Sequence, residues 1–534
     1  MSRKQKLELT WIGKENRPKL EPRILLEDPA KSYHAPHRVT DKDIFDNRLI
    51  FGDNLLALKA LEMELAGKVK CIYIDPPYNT GNAFEHYDDG VEHSLWLSLI
   101  RDRLSLLHQM LSEDGVIFIN IDEVEHAYLK ITMDEIFGRS NFLGDLIWEK
   151  RKGGGNDSRF FALDHDYILV YAKNSNKEIH NKKWRISQSE KYLKRYKEID
   201  ENGEKFYWDT LARDGLQNPI IVNIECPDRT SITMNSQKSE KTIKEGLKSG
   251  HIRLIQGKNG WTLHHRVYMP EGQVLRSIIE DAGTNKTAGD EMKALFGDAK
   301  AFDYPKPESL IVKLLELVTN PGDLVLDSFA GSGTTGAVAH KMGRRWIMIE
   351  LGEHCHTHII PRMQKVIDGT DQGGISKAVE WKGGGGFRYY RLAPSLLEKD
   401  KWGNWIINKK YNAAMLAGAL CKLEGFTYAP SDTVYWQHGY STERDFVYVT
   451  TQNLSHAQLQ QLSEEVGGNR SLLVLCTAFR GKPDSFANLT VKKIPRTVLA
   501  RCEWGHDDYS LRVENLPKAP EEPGQKFLFG EEGQ

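Results

Sequence analysis

Two separated stretches of the chain alternate between short apolar strands and helices, and this alternation restricts the possible folds more than any other feature. In the first stretch, the apolar run Val69–Ile74 precedes a helix, a second strand at 116–122 (VIFINID) and further helical sequence to Gly138. The second stretch places a helix between a strand at 324–329 (LVLDSF) and the strand Arg345–Glu350. Alternation of this kind is typical of a parallel sheet covered by helices. The sequence therefore predicts an α/β protein with a doubly wound, mostly parallel sheet.

The helix of the first stretch has one apolar face, and Gly115 is placed to end it. That face consists of Leu95, Leu99, Leu104, Leu107 and Leu111.

The sheet domain is split by a long insertion and is followed by further units. Residues 151–298 are polar and lack a clear period, and positions 151–260 hold 21 Lys and Arg against 15 Asp and Glu. The glycines at 383–386 indicate a hinge into a smaller α/β unit. We therefore expect six segments. The last of them is a disordered tail, because the end of the chain is rich in Pro, Gly and Glu. They are an N-terminal extension (1–44), the first half of the sheet domain (45–150), an inserted domain (151–298), the second half (299–370), a C-terminal domain (380–516) and the tail (517–534).

Composition narrows the class of protein. The 534 residues are 40% hydrophobic and 27% charged, with a net charge of −2, so binding to a polyanion must be local. No stretch approaches the roughly 18 uncharged apolar residues of a membrane span. The six cysteines form no C-x-x-C pair, which gives no sign of a disulfide framework. These features predict a cytoplasmic protein in a reducing compartment, without a membrane partner.

A glycine-rich turn joins the strand at 324–329 to a helix. Phe329, Gly331 and Gly333 lie in the run FAGSGTT, where glycines let a ligand approach the backbone amides of a helix N-terminus. No lysine follows Gly336, so the run is not a P-loop, and its spacing also departs from the dinucleotide fingerprint. Glu350 ends the next strand, where an acid can bind both hydroxyls of a ribose. The turn indicates a nucleoside-containing cofactor, with a plain tight turn as the alternative.

A second motif, DPPY, follows the strand Val69–Ile74 directly. Asp75 lies at the carboxyl end of a predicted parallel strand, where open α/β sheets bind their ligands. Pro76 and Pro77 hold it rigidly, because proline can neither continue strand pairing nor enter a helix here. The motif suits a planar ring with an exocyclic amine: Asp75 and a proline carbonyl accept its two N–H bonds, and Tyr78 covers the ring. A structural strand-end turn is the alternative.

The two motifs together resemble the amino-methyltransferases of DNA, with the catalytic motif first, in the circularly permuted β order. More closely, the chain resembles the Mod methylation subunits of type III restriction-modification systems, over about 45–150 and 300–370. The shared runs are GDN (52–54), DPPYNTG (75–81), GVIFINIDE (115–123), DEIFG (Asp134–Gly138), YPKP (304–307) and FAGSGTT (329–335).

The resemblance implies a fold, a cofactor and roles for residues. It implies the S-adenosylmethionine-dependent methyltransferase fold, with strands ending at Asp75 and at 327–329 side by side. Asp75, with Pro76, Pro77 and Tyr78, would hold the amine of a flipped-out base. Asp53 would lie near the cofactor adenine, and Glu350 would bind the ribose. The remaining cofactor residues, at and beside the methionine pocket, would be Lys306, Asp327, Phe329, Gly331, Gly333 and Thr334.

The predicted reaction is methylation of adenine N6 at a specific site in double-stranded DNA, in a prokaryotic restriction-modification or phage-defence system. Cytosine-N4 methylation is the nearest alternative chemistry, although that family usually carries serine in place of Asp75. A recognition subunit for a helicase-nuclease partner is the alternative of another class. We expect a homodimer, with dimer or partner contacts made by the C-terminal domain.

The inserted domain is the expected target-recognition domain, because basic and aromatic residues interleave in it. The alternative is a solvated helix whose aromatic side chains face a core. The candidates for DNA contact are Arg151, Lys152, Trp184, Arg185, Lys194 and Arg195.

A cluster of potential metal ligands follows Glu350. His354, Cys355, His356 and His358 occupy five positions, but on a helix they would point around most of its circumference. We therefore expect no metal.

Overall fold

The computed structural model describes residues 8–78, 89–153, 160–176, 184–188, 190–212, 215–258, 260–298 and 301–510. The predicted tail, 517–534, lies outside these residues. The chain forms two compact units: a larger one, Met1–Lys183 with Arg276–Gln534, and a smaller one, Trp184–Leu275. The smaller unit is narrower than the insertion expected at 151–298, because the residues on both sides of it pair with the main sheet of the larger unit.

The first part of the larger unit contains seven strands and three helices among its described residues. These are β1 (Leu25–Glu27), β2 (Tyr33–His34), β3 (Asn47–Phe51), α1 (Asn54–Leu65), β4 (Val69–Ile74), α2 (Asp89–Met110), β5 (Leu111–Ile121), α3 (His126–Met133), a π-helical turn (Asp134–Gly138), a 3-10 turn (Arg139–Asn141), β6 (Phe142–Glu149) and β7 (His165–Ala172).

The smaller unit consists of two antiparallel sheets with two short helices. Its elements are α4 (Glu190–Leu193), β8 (Glu198–Ile199), β9 (Lys205–Thr210), β10 (Ile220–Glu225), β11 (Ser231–Ser236), α5 (Glu240–Lys248), β12 (Ile252–Gly257) and β13 (Gly260–Tyr268). Strands β10 and β11 form a hairpin, and the other sheet has the order β12-β13-β9-β8.

The larger unit then resumes and completes the main sheet. Its elements are β14 (Ile278–Ile279), α6 (Asn285–Phe296), α7 (Glu308–Val318), β15 (Leu324–Asp327), α8 (Thr334–Lys341), β16 (Arg345–Glu350), a π-helical turn (Cys355–Ile359), α9 (Ile360–Ile367) and β17 (Gly386–Leu392).

The C-terminal part adds a five-stranded sheet of order β20-β21-β22-β24-β26 and two strand pairs, β18 with β19 and β23 with β25. Its elements are β18 (Leu397–Lys399), β19 (Trp405–Ile407), α10 (Ala413–Glu424), β20 (Thr427–Tyr428), β21 (Gly439–Tyr440), β22 (Asp445–Val449), β23 (Asn453–Leu454), α11 (His456–Val466), β24 (Ser471–Cys476), β25 (Ala478–Phe479), a 3-10 turn (Pro483–Ser485) and β26 (Leu489–Lys493).

The main sheet has the order β1-β17-β3-β16-β15-β4-β5-β7-β6-β14, with β2 paired to β17. The six strands from β17 to β5 run parallel, and β7 is antiparallel to both of its neighbours, β5 and β6. Strands β4 and β15 are adjacent, with Cys71 opposite Val325. This order confirms the predicted mostly parallel α/β sheet, and it places the ends of the two motif-bearing strands side by side.

Helices cover both faces of this sheet. On one face, Ile72 and Ile74 of β4 are fully buried in a core shared with α1, α2 and α3. Side chains alternate along a strand, so Cys71 and Tyr73 point to the other face, where α7 packs against β4. The sheet is therefore doubly wound.

Two local expectations were wrong or incomplete. Gly115 does not end the helix: α2 ends at Met110, and Gly115 lies inside β5, where an added Cβ would be 2.9 Å from the Val69 carbonyl oxygen. A glycine is needed there because two strands approach closely. The glycines at 383–386 lead into β17, which pairs with β3 of the main sheet before the C-terminal sheet begins.

Among the described residues, every helix is too short or too polar to span a membrane.

Candidate active site

Asp75 follows the last residue of β4, and a hydrogen bond connects the turn after it to helix α2. Five of the six residues of strand β4 are buried. The prolines end strand pairing. The indole Nε1 of Trp96 in α2 donates a 2.9 Å hydrogen bond to the Pro77 carbonyl oxygen. The carboxylate is therefore fixed at the carboxyl edge of the sheet.

The Asp75 carboxylate is engaged on both oxygens. The Tyr78 hydroxyl donates to Oδ1 at 2.9 Å, and the Lys306 ammonium lies 2.5 Å from Oδ2. The Lys306 side chain is 8% exposed and that of Asp75 is 23% exposed, so this ion pair is screened only in part. The carbonyl oxygen of Lys306 also accepts a 3.0 Å hydrogen bond from the Thr334 hydroxyl. Lys306 thus links the DPPY turn to the glycine turn.

The glycine turn connects β15 to α8 in a conformation that favours glycine. Gly331 has φ 53° and Gly333 has φ 77°, both in the left-handed region. The Phe329 amide donates to the Asp327 carboxylate at 2.9 Å. Burial raises the pKa of Asp327 to about 7, with the nearby carboxylates of Asp75 and Glu350 acting in the same direction.

Glu350, at the end of β16, is held by backbone amides. Its carboxylate accepts hydrogen bonds from Gly331 at 2.8 Å and from Leu351 and Gly352, each at 2.9 Å. His354 Nε2 lies 3.0 Å from the same group. Glu350 therefore shapes the glycine turn directly.

Asp53 is buried and caps α1. Its carboxylate accepts hydrogen bonds from the amides of Leu56 at 3.0 Å and Tyr509 at 2.9 Å, and it pairs with Arg103 at 3.3 Å. The sequence alone gave no sign that a residue of the C-terminal part would contact this acid.

One cavity of about 860 Å³ joins the two motifs. Ligand sites in proteins commonly measure about 300–1,000 Å³. The predicted residues that line it are Asp75, Pro76, Pro77, Tyr78, Arg151, Lys306, Asp327, Phe329, Gly331 and Thr334. Asp53, Lys152, Gly333 and Glu350 are not part of the lining.

Several residues of the cavity are absent from the sequence prediction. Phe161 and Tyr304 line it and are 77% and 78% exposed, so they lie at its mouth. Tyr73 of β4 also lines it, and its hydroxyl is buried without a hydrogen-bond partner among the described residues. Lys150 and Asp166 come from the β6–β7 hairpin. The continuous apolar run at 167–172 (YILVYA) could have revealed β7, had the insertion not been expected to begin at 151.

The histidine cluster forms ordinary polar contacts. His356 bridges Glu353 at 3.0 Å and the Tyr389 hydroxyl at 2.8 Å, and Cys355 is buried. In the described part of the chain, no group of three or more His, Cys, Asp or Glu is arranged to hold a metal ion.

The candidates for DNA contact lie in both units. In the larger unit, Arg151 is exposed and pairs with Asp164 at 3.1 Å, and exposed Lys152 pairs with Glu149 at 3.1 Å.

In the smaller unit, Trp184 and Arg185 are half-buried, and Lys194 and Arg195 are exposed. The Arg195 guanidinium lies 4.3 Å from the Tyr192 ring centroid. Tyr196 is only 5% exposed, which fits the alternative that some of these aromatic residues serve a core.

A second basic and aromatic group lies on the four-stranded sheet of the smaller unit. Arg253 is 4.1 Å from the Trp208 ring centroid, and Arg266 is 4.8 Å from that of Phe206. These residues are far apart in sequence, so only strand pairing reveals the group.

Comparison with known proteins agrees with this geometry. The profile of a DNA methylase family matches residues 69–361, which include both motifs. The chain therefore belongs to this DNA methylase family.

Three curated relatives illustrate the similarity. The "Probable type III restriction-modification enzyme HindVI Mod subunit" of Haemophilus influenzae is 34% identical over 67% of this chain and 55% of its own length. The StyLTI Mod subunit of Salmonella typhimurium, a type III restriction-modification enzyme, is 32% identical over 54% of this chain and 49% of its own. The type II methyltransferase M.KpnI of Klebsiella pneumoniae is 30% identical over 56% and 77%. The chain spans about half the length of the first two relatives.

Proposed function

We propose that the protein transfers a methyl group from S-adenosylmethionine to N6 of adenine at a specific site in double-stranded DNA. The observation that carries this proposal is the single cavity shared by the Asp75 carboxylate and the glycine turn at 329–335. Membership of a DNA methylase family supports the same reaction.

The residues of the glycine turn fit the cofactor. Gly331 exposes its backbone to the cavity, and an added Cβ would lie 3.5 Å from the Phe302 ring. The buried Tyr73 hydroxyl offers a donor that no described residue uses. Phe329 adds an apolar wall, and Asp327 and Glu350 adjoin the turn. S-adenosylmethionine would supply a methyl group on a sulfonium sulfur; as the new N–C bond formed, the C–S electron pair would stay on sulfur and the nitrogen would pass one proton to the Asp75 carboxylate that accepts its N–H bond.

The residues of the DPPY turn act on the amine. An aromatic amine is a weak nucleophile, because its lone pair is delocalised into the ring. Asp75 accepts one of its N–H bonds and draws the nitrogen towards tetrahedral geometry. Pro77 already accepts from Trp96, so we assign the second N–H to the Pro76 carbonyl oxygen. The rigid turn also positions the nitrogen for in-line attack.

The base must leave the duplex to reach this cavity, which costs a few kcal/mol of unstacking. The Tyr78 ring covers the extruded base and offsets part of that cost. Lys306, 5.5 Å from the centroid of this ring, adds a positive charge beside Asp75.

Target recognition is assigned to the inserted domain, and its basic and aromatic residues supply phosphate contacts and groove insertion. Because two of the relatives are Mod subunits, we propose that the chain is the modification subunit of a restriction-modification system in a prokaryotic cytoplasm. We expect a helicase-nuclease subunit as the partner of this protein. The C-terminal part, 380–516, is the surface expected to contact that partner or a second copy of the chain.

The test is incubation of the protein with radiolabelled S-adenosylmethionine and mixed duplex DNA, followed by nucleoside analysis and mapping of the modified sites. We expect N6-methyladenine at one recurring sequence. Label in N4-methylcytosine would show that cytosine, not adenine, is the target base. DNA without label would contradict the proposal.

A further inference from the structure

The Tyr78 hydroxyl lies between two carboxylates. It is 2.9 Å from Oδ1 of Asp75 and 3.3 Å from Oδ2 of Asp166, and the side-chain amide of Asn120 donates to it. Asp166 is 2% exposed and Asn120 is fully buried. The Lys150 ammonium pairs with the other oxygen of Asp166 at 2.7 Å. Asp75, Asp166 and Asn120 thus surround the hydroxyl, and Lys150 extends this polar network through Asp166.

The antiparallel strand β7 creates this network. Asn120 is the penultimate residue of β5, Asp166 is the second residue of β7, and Lys150 follows β6 directly. Because β7 runs opposite to β5 and β6, its first residues lie beside the last residues of both. Asp166 consequently reaches the same sheet edge as Asp75, although 90 residues separate them in sequence.

The hydroxyl can satisfy only one carboxylate fully. A phenol carries a single hydrogen to donate, and its pKa is raised by burial and by the charges of Asp75 and Asp166, so it stays neutral. When the hydrogen points to Asp75, it occupies Oδ1 of that residue. When it points to Asp166, Oδ1 is free to accept a hydrogen bond from a substrate amine.

We propose that Asp166 is a positioning residue of the active site, taking the Tyr78 hydrogen bond when the amine engages Asp75. The exchange frees the Asp75 acceptor without releasing the Tyr78 ring, because the hydroxyl stays hydrogen-bonded throughout. Lys150 holds Asp166 in place for this exchange. The inference rests on the proposed methyl transfer and adds a residue to it.

The experiment is a double-mutant cycle on the full chain with Asp166→Asn and Tyr78→Phe. A hydrogen bond to a charged group contributes about 1.5–3 kcal/mol, so we expect Asp166→Asn to lower kcat roughly 10-fold to 160-fold. KM for S-adenosylmethionine should stay within about twofold, since binding of the cofactor does not use this network. In the Tyr78→Phe background, Asp166→Asn should lower kcat no further, because no hydroxyl remains to be held.

The control is Asp114→Asn in β5, which breaks the ion pair with Lys70 of β4, away from the cavity, and should leave kcat unchanged. Lys150→Met is a second variant that leaves Asp166 in place, so the cycle can be completed even if Asp166→Asn fails to fold. A kcat within twofold of wild type for the network variants, or losses that multiply in the Tyr78→Phe background, would overturn the inference alone. A wild-type chain that transfers no methyl group would instead overturn the proposed function and, with it, this role.

Discussion

A buried ionic network beneath the glycine turn provides a prediction that depends on burial alone. Lys341 of α8 lies 2.9 Å from the Glu308 carboxylate of α7 and 2.7 Å from Asp371. Arg362 of α9 pairs with Glu308 at 2.9 Å and also donates to the Thr334 hydroxyl at 2.8 Å. All four charged side chains are at most 3% exposed. The network therefore joins the three helices α7, α8 and α9.

We predict that Lys341→Met strongly destabilises the larger unit. Methionine keeps the length of the side chain but leaves Asp371 and one side of Glu308 buried without their cation. Removing one partner of a buried pair costs about 3–5 kcal/mol. In a unit of roughly 440 residues, 1 kcal/mol shifts the melting temperature by only about 1 °C, so the melting temperature should fall by roughly 3–5 °C.

Arg345→Met is the matched control. Arg345 pairs with Asp46 at 2.9 Å, the same separation as Lys341 and Glu308, but the two side chains are 46% and 58% exposed. An exposed pair contributes about 0–1 kcal/mol, so the melting temperature should change by no more than about 1 °C. Differential scanning fluorimetry of both variants decides the matter. Equal shifts, or a Lys341→Met shift below that limit, would refute the reasoning from burial.

Three further predictions concern the cavity and the smaller unit. Burial raises the pKa of Asp327 to about 7, so the folded protein holds a proton there that the unfolded chain loses near pH ~4. The free energy of unfolding therefore falls as the pH rises from about 4 to about 7. Asp327→Asn should therefore melt higher than wild type at pH 8 and about equally at pH 4; a gap that does not change with pH would contradict this. Tyr73→Phe should leave the melting temperature unchanged while weakening S-adenosylmethionine binding about tenfold by calorimetry, the loss of one hydrogen bond, and unaltered affinity would count against it. Lys194→Ala and Arg195→Ala should each weaken duplex binding for all sequences alike and reduce the salt slope by about 1, whereas an unchanged slope would remove them from the phosphate contacts.

The parts of the site that sequence reasoning could find are the contiguous ones. The DPPY turn follows a buried strand, and FAGSGTT follows another, so each motif carries both its chemistry and its place at a strand end. The parallel arrangement then brings Asp75 next to the glycine turn, because β4 and β15 are neighbours.

The remaining contacts depend on pairings between distant segments. Lys306 reaches Asp75 across 231 positions, and Tyr509 reaches Asp53 across 456. Asp166 lies within the segment 151–298, which the sequence predicts to be an inserted domain without a clear period, yet β7 pairs along its length with β5 and β6. Gly115 was misread because a glycine after a leucine-rich helix suits a helix end as well as a close strand contact.

The most direct test of the central claim is single-turnover methyl transfer by Asp75→Ala, with cofactor affinity measured by calorimetry on the same preparation. The claim predicts that S-adenosylmethionine binds within a few-fold of wild type, while transfer to DNA falls by about 10²–10³ or more, because the amine loses its fixed acceptor. Transfer near the wild-type rate, with the cofactor still bound, would contradict the assignment of Asp75 as the residue that activates the amine.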